Sequence, residues 1–316
     1  MGEIAGPIVG IDVGEDFLDL AIIDAIGRRL RLARVAVTGV ESFGEVASSG
    51  STKHEGAIGE LCRRLLAAAP ELGESGAVAM VDSPRWPRDL DLSVRMGDSD
   101  SRCYGSASAS RTIDVALRAL VNDVGLRRSD GRPFRLSLFP TPPLMYFAAV
   151  VRDPRCKPHL AALGEELFDR MLDRFEAGTA PAGGRIFTRF MIAGFATFKA
   201  LDRTGVESYE AYPDLAFRLW SNGIDIPPKS AGKRALEVRT QIDRRLADEL
   251  GCSGAEDIAT FDGADAAMIA LSAAIAQRRG AIVVLEDPRE GRFALALDAV
   301  QATRSSSKAI RDANCY

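Results

Sequence analysis

Asp12 lies in the run VGIDVGEDFLDLAII (9–23), among Val9, Ile11 and Val13, which suit burial in a sheet. An unpaired buried carboxylate is costly, so it keeps a proton, finds a partner or holds a cation. Asp82 ends a second apolar run, GAVAMVDSP (76–84). Asp265 falls near the start of the Ala-rich segment 261–280, and Asp262, three residues earlier, shares its helix face. Glu207, in TGVESYEAYP (204–213), reads as the end of a strand. Gathered at one point, these acids repel one another unless a divalent cation neutralises them, and hard oxygen ligands suit Mg²⁺ or Mn²⁺. Two such ions, about 3.5–4 Å apart, activate water and stabilise the leaving oxygen in phosphodiester cleavage. In that arrangement Asp12 bridges both ions, Asp82 and Asp265 each hold one, and Glu207 or Asp262 assists. Each acid also has an ordinary reading. Asp at a strand end forms turns or caps helices, and an acid in a first helical turn complements the helix dipole.

The elements that must position these acids follow from periodicity. PIVGIDVG and FLDLAIID are β-rich, DAIGRR (24–29) is a turn, and RLRLARVAV alternates as a half-buried strand does. Ile58, Leu61, Leu65 and Leu66 fall at helical spacing within 55–69, and GAVAMVDSP is a buried strand. Segment 85–110 reads as a long surface loop, RTIDVALRALVNDV (111–124) as an amphipathic helix, and 134–202 as mainly helical. TGVESYEAYP is a strand leading into the helix start DLAFRLW. KSAGKRALEVRTQIDRRLADEL reads as one charged helix ending at Gly251. Segment 261–280 is a helix closed by Gly280, and AIVVLEDPREGRFALAL (281–297) a terminal hairpin. The last fifteen or so residues read as a frayed polar end. The order β-β-β-α-β, followed by further α/β units and a late helix, is the ribonuclease H-like pattern. With a crossover of the usual hand, the first and fourth strands are neighbours. Asp12 and Asp82 then reach the crevice where open α/β sheets bind ligands.

Composition narrows the partners. The 316 residues are 47% apolar and 27% charged, as in ordinary soluble domains, with net charge −4 and a pI near 5.5. Nothing in the overall charge announces a nucleic-acid binder, although a local Arg cluster can serve on an acidic protein. Of 40 basic residues six are Lys and 34 Arg. That skew follows from base composition or, alternatively, from phosphate recognition. Five widely spaced cysteines without a CxxC argue against a disulfide framework or zinc site. With two His, carboxylates must carry any catalysis. No signal segment or membrane-length apolar run is evident, so a cytoplasmic location and no membrane partner are expected.

VGIDVG, AMVDSP, RTIDVALR, SLFPTPP, VESYEAYPDLAFRLW, GADAAMIAL and VLEDPREG, in that order over roughly residues 8–297, resemble domain-of-unknown-function family 429, described as predicted RNase H-like nucleases. The resemblance implies one RNase H-like domain over 1–316 with a loop and helical insertion at about 85–202. It suggests Asp12, Asp82 and Asp265 as the acidic positions, with Glu207 in the ES-Y-P segment. The chain departs from the pattern where a His-Asp pair is expected to open the last helix, having Phe261-Asp262 instead. Arg111 and Arg118 are candidates for phosphate contacts and Trp86 for base stacking; solvated or Asp114-paired arginines and a core-edge tryptophan are the ordinary readings.

The reading is thus a Mg²⁺- or Mn²⁺-dependent nuclease with nucleic acid as partner. Its rivals are a non-catalytic scaffold or binding module on the same sheet, and an actin-like phosphotransferase. Gly10, Asp12 and Gly14 suit the last, but Glu15-Asp16 would repel a triphosphate.

Overall fold

The computed structural model describes residues 6–14, 16–37, 52–85, 112–127, 131–134, 185–287 and 291–297. Strands β1 (Ile8–Val13), β2 (Phe17–Ile23) and β3 (Leu30–Ala36) form the expected meander. Helix α1 (Thr52–Ala68) leads through a 3-10 turn, Pro70–Gly73, into β4 (Val78–Asp82). Next come α2 (Thr112–Val124), α3 (Arg185–Thr204), β5 (Glu207–Glu210) and α4 (Pro213–Trp220). The chain continues with α5 (Lys233–Leu250), α6 (Phe261–Arg279) and the hairpin β6 (Ile282–Asp287) and β7 (Gly291–Ala296). The expected loop and most of the expected helical insertion, 86–111 and 135–184, lie outside the described residues.

The described strands form one mixed sheet of order β3-β2-β1-β4-β5-β7-β6. β1 runs antiparallel to β2 and parallel to β4, so the first and fourth strands are neighbours as expected. β4 is parallel to β5, and the terminal hairpin joins through β7. Helices cover both faces. Val9, Ile11, Val13, Ala79 and Val81 pack with Leu61, Leu65, Phe198 and Leu201 of α1 and α3. Ile8 and Met80 pack on the other face with residues of α2, α4, α5 and α6. This two-sided covering explains why β1 is buried at every position and reads as an apolar run interrupted only by Asp12.

α6 is the central helix of the second face. Thr260 caps it, its Oγ1 accepting the Gly263 N–H at 3.0 Å, and Gly280 at φ 64° ends it. Residues Gly263 to Ala276 are buried, because small Ala side chains let the helix lie close on β1 and β2. Gly10 makes the closest approach possible: a Cβ there would stand 2.1 Å from the Ala266 carbonyl oxygen.

Two boundaries differ from the sequence reading. The charged helix expected to begin at Lys229 is divided: Lys229–Ala231 form one 3-10 turn, and Gly232 at φ 59° breaks the chain before α5 starts. The strand expected over 204–213 shrinks to Glu207–Glu210. α3 runs to Thr204, a turn at Gly205 (φ 73°) follows, and Pro213 opens α4. None of the helices among the described residues is long and apolar enough to cross a membrane.

Candidate active site

The meander's register aligns acids across the sheet. Asp12 of β1 pairs with Asp19 of β2 on one side and with Asp82, the last residue of β4, on the other. Asp19 in turn pairs with Arg34 of β3. Alternation puts this row on the face of Gly10 and Met80, beneath α6. Arg34 holds Asp19 at 2.9 Å, leaving Asp12 and Asp82 as the adjacent pair at the carboxyl ends of two parallel strands.

Asp12 is buried and Asp82 partly exposed. Side by side in register, they are placed to share a hydrogen bond when one carboxyl keeps its proton. Burial raises the Asp12 pKa well above the usual range, and the charges of Asp82 and Asp265 raise it further. Asp82 is pushed up to about 7, first by burial and then by Asp265, against the opposing effects of the Asp12 hydrogen bond and Lys229. Among the described residues no cation bonds directly to either side chain.

Asp265 reaches the same point from the first turns of α6 and is treated differently. Its Oδ1 lies 3.1 Å from Arg239 Nη1 and its Oδ2 2.6 Å from Lys229 Nζ. Arg239, buried on α5, also holds Asp214 of α4 at 3.0 Å and lies over the Phe217 ring at 4.6 Å. Arg218 completes the chain at 3.0 Å from the other Asp214 oxygen. Burial still raises the Asp265 pKa, opposed by Lys229 and Arg239. Behind the clamp, Asp243 is wholly buried and neither of its oxygens has a hydrogen-bond partner among the described residues.

The acids expected from the sequence therefore divide. Asp12, Asp82 and Asp265 converge from β1, β4 and α6, and Asp262 is exposed one turn before Asp265, close enough to act on Asp12. Glu207 does not join them. It begins β5 level with Val78, four residues short of Asp82, or roughly 13 Å at ~3.3 Å per residue. It pairs instead with the Tyr209 hydroxyl and with Arg292 at 3.4 Å. Arg111 and Trp86 lie outside the described residues, as does the side chain of Arg118 on α2. Asp19, Asp214, Lys229, Arg239 and Asp243 escaped the sequence reading. Only Asp19 carried a usable signal, since a hairpin turning over Gly14 to Asp16 sets it opposite Asp12.

The donor set fits one hard cation. Mg²⁺ is commonly held by one or two carboxylates with substrate phosphate completing the shell, and Asp12 and Asp82 supply such a pair. Asp265 does not fit as a third ligand while both its oxygens face cations. Accordingly, no group of three or more metal-ligating side chains in holding geometry occurs among the described residues.

A cleft of about 910 Å³ opens beside Lys229. Arg132, Phe134, Arg218, Asp225, Pro228 and Arg234 are among its walls, so its described lining carries three arginines and one aspartate. Arg218 lies 4.7 Å above the Phe134 ring. Comparison with protein-family models, curated proteins and solved structures returned no match.

Proposed function

We propose that the chain is a divalent-cation-dependent nuclease of RNase H-like type that hydrolyses phosphodiester bonds. The observation carrying this reading is the Asp12–Asp82 pair, side by side on parallel neighbours with no directly bonded cation among the described residues. The strand order β3-β2-β1-β4-β5 and the helix α6 bringing a third acid are what an RNase H-like reading of the mixed sheet rests on. Asp12 and Asp82 would hold Mg²⁺ or Mn²⁺, which supplies Lewis-acid polarisation of a phosphoryl oxygen. Asp265, fixed by Arg239, orders the face above them. The arginine-lined cleft supports a polyanionic substrate, because guanidinium forks suit phosphate and the Phe134 ring offers a face for a base.

Asp12→Asn removes one ligand while keeping shape and a hydrogen bond to Asp82. Cleavage of a panel of single- and double-stranded DNA and RNA, measured with Mn²⁺ and with EDTA, should fall at least ~100-fold in the variant, or ~2.7 kcal/mol of barrier. Cleavage that persists in Asp12→Asn, or in EDTA, refutes the assignment. One observation favours a second reading, a non-catalytic nucleic-acid-binding module: Asp265 is neutralised by protein cations alone. In that case the variant binds the same nucleic acids undiminished and neither protein cleaves.

A further inference from the structure

The two cations on Asp265 are of different kinds. Arg239 is buried, engages Asp265 and Asp214 together and packs on Phe217. It is a fixed part of the interior. Lys229 stands on the isolated 3-10 turn after Pro227 and Pro228, and its side chain is 50% exposed while that of Asp265 is 4% exposed. Its Nζ is 5.9 Å from the Phe261 ring centroid. The break at Gly232 is what allows this placement, since a helix continuous from Lys229 would carry the side chain along the α5 axis. The charge of Lys229 acts on Asp12 and Asp82 as well as on Asp265. Residues on either side of it, Pro228 and Ala231, line the arginine-bearing cleft.

Residue type matters here. In a chain with 34 Arg and six Lys, the position against Asp265 Oδ2 is one of the six. Arg would grip the carboxylate as a planar fork. Lys offers a compact point charge on a flexible stem, with three donors that can be shared with a second oxygen ligand. An ion pair with one end in water also binds weakly enough to be remade.

We propose that Lys229 is the tethered second cation of this centre, occupying the place beside Asp265 that a second divalent ion would otherwise take and offering its ammonium to a substrate phosphate. The inference rests on Asp12 and Asp82 being the ligands of the first ion. Lys229 makes and breaks no covalent bond; it carries charge. The consequence is a centre that takes one divalent ion in the intact protein, with Asp265 freed for a second only when the ammonium is removed.

The test is Mn²⁺ binding to the full chain, by calorimetry and by electron paramagnetic resonance, without substrate. The intact protein should bind one Mn²⁺ that Asp12→Asn abolishes. Lys229→Met should bind two, or bind the first about tenfold more tightly, equivalent to ~1.4 kcal/mol. Lys229→Gln gives the same readout if the Met variant fails to fold, and Lys229→Arg should keep one ion at the original affinity. If the intact protein binds one ion and Lys229→Met and Lys229→Gln match it in number and within twofold in affinity, the role of Lys229 is refuted and the ligand pair stands. An intact protein that already binds two ions refutes it as well. If Asp12→Asn leaves every bound ion in place, the ligand assignment itself fails, and the inference with it.

Discussion

Asp12 and Asp82 make the stability of the metal-free protein depend on pH in an unusual direction. Both carboxyls have raised folded-state pKa values, so over an intermediate range the folded chain keeps protons that the unfolded chain has released. Stability is then greatest at the acid end of that range and is lost as pH rises towards the folded pKa. Moving one carboxyl from 3.8 to about 7 corresponds to about 4 kcal/mol at ~1.36 kcal/mol per pH unit. That value is an upper bound for Asp82, because its proton is shared with Asp12. Urea unfolding in EDTA between about pH 5 and about pH 8 should show a fall of roughly 2–3 kcal/mol, the part of the titration lying above pH 5. Mg²⁺ at a hundred times its dissociation constant should restore ~2.7 kcal/mol at the alkaline end. In Asp12→Asn the slope should flatten, since the remaining Asp82 ionises beside an amide donor instead of a second acid. Stability that is constant or rises across this window in EDTA would refute the placement of the two acids together.

Glu207→Gln should leave cleavage within twofold of the unaltered protein, because Glu207 sits at the opposite end of the parallel strands; a tenfold loss would place it in the centre after all. Gly10→Ala should cost ~1–3 kcal/mol of stability in thermal or urea melts. It should weaken Mn²⁺ binding too, since a Cβ 2.1 Å from the Ala266 carbonyl oxygen pushes α6 away from β1. An unaltered melt and titration would show that α6 does not press on β1 there. Arg239→Met should destabilise by ~2–4 kcal/mol, as it takes the buried counter-charge from two carboxylates and leaves Asp265 to Lys229 and Asp214 to Arg218. A loss under ~1 kcal/mol would show that water already reaches Asp265.

What the sequence made legible was local or set by chirality. The meander, the crossover and the Gly280 stop follow from periodicity and turn residues, and they suffice to make β1 and β4 neighbours and to align Asp12 with Asp82. Glu207 was misplaced because a strand end cannot be told from a strand start without its boundaries. Thr204-Gly205 proved to be the turn, which reversed the expected position by one strand length. Lys229 was hidden inside an apparently continuous helical pattern, since Gly232 has charged and apolar residues of helical type close on its C-terminal side and nothing local foretells φ 59° there. Arg239 and Asp214 meet Asp265 only through packing of α4 and α5 against α6, a relation with no spacing signature.

The clamp around Arg239 shows why the acids divide as they do. Arg239 and Asp243 are four residues apart on α5, the separation at which side chains on one helix face meet. Yet Arg239 Nε and both Asp243 oxygens are buried without hydrogen-bond partners among the described residues. Burial, and then the charge of Asp265, raise the Asp243 pKa well above the usual range. Both Arg239 terminal nitrogens are directed at Asp265 and Asp214 and not at Asp243. Were Asp243 ionised, it would compete for Arg239 at short range and leave Asp265 to Lys229 alone. The raised pKa of Asp243 favours its uncharged form, which lessens competition with Asp265 for the guanidinium. That arrangement leaves Asp12 and Asp82, at the open end of the sheet, as the acids of the described centre whose charge the protein does not itself offset by direct contact.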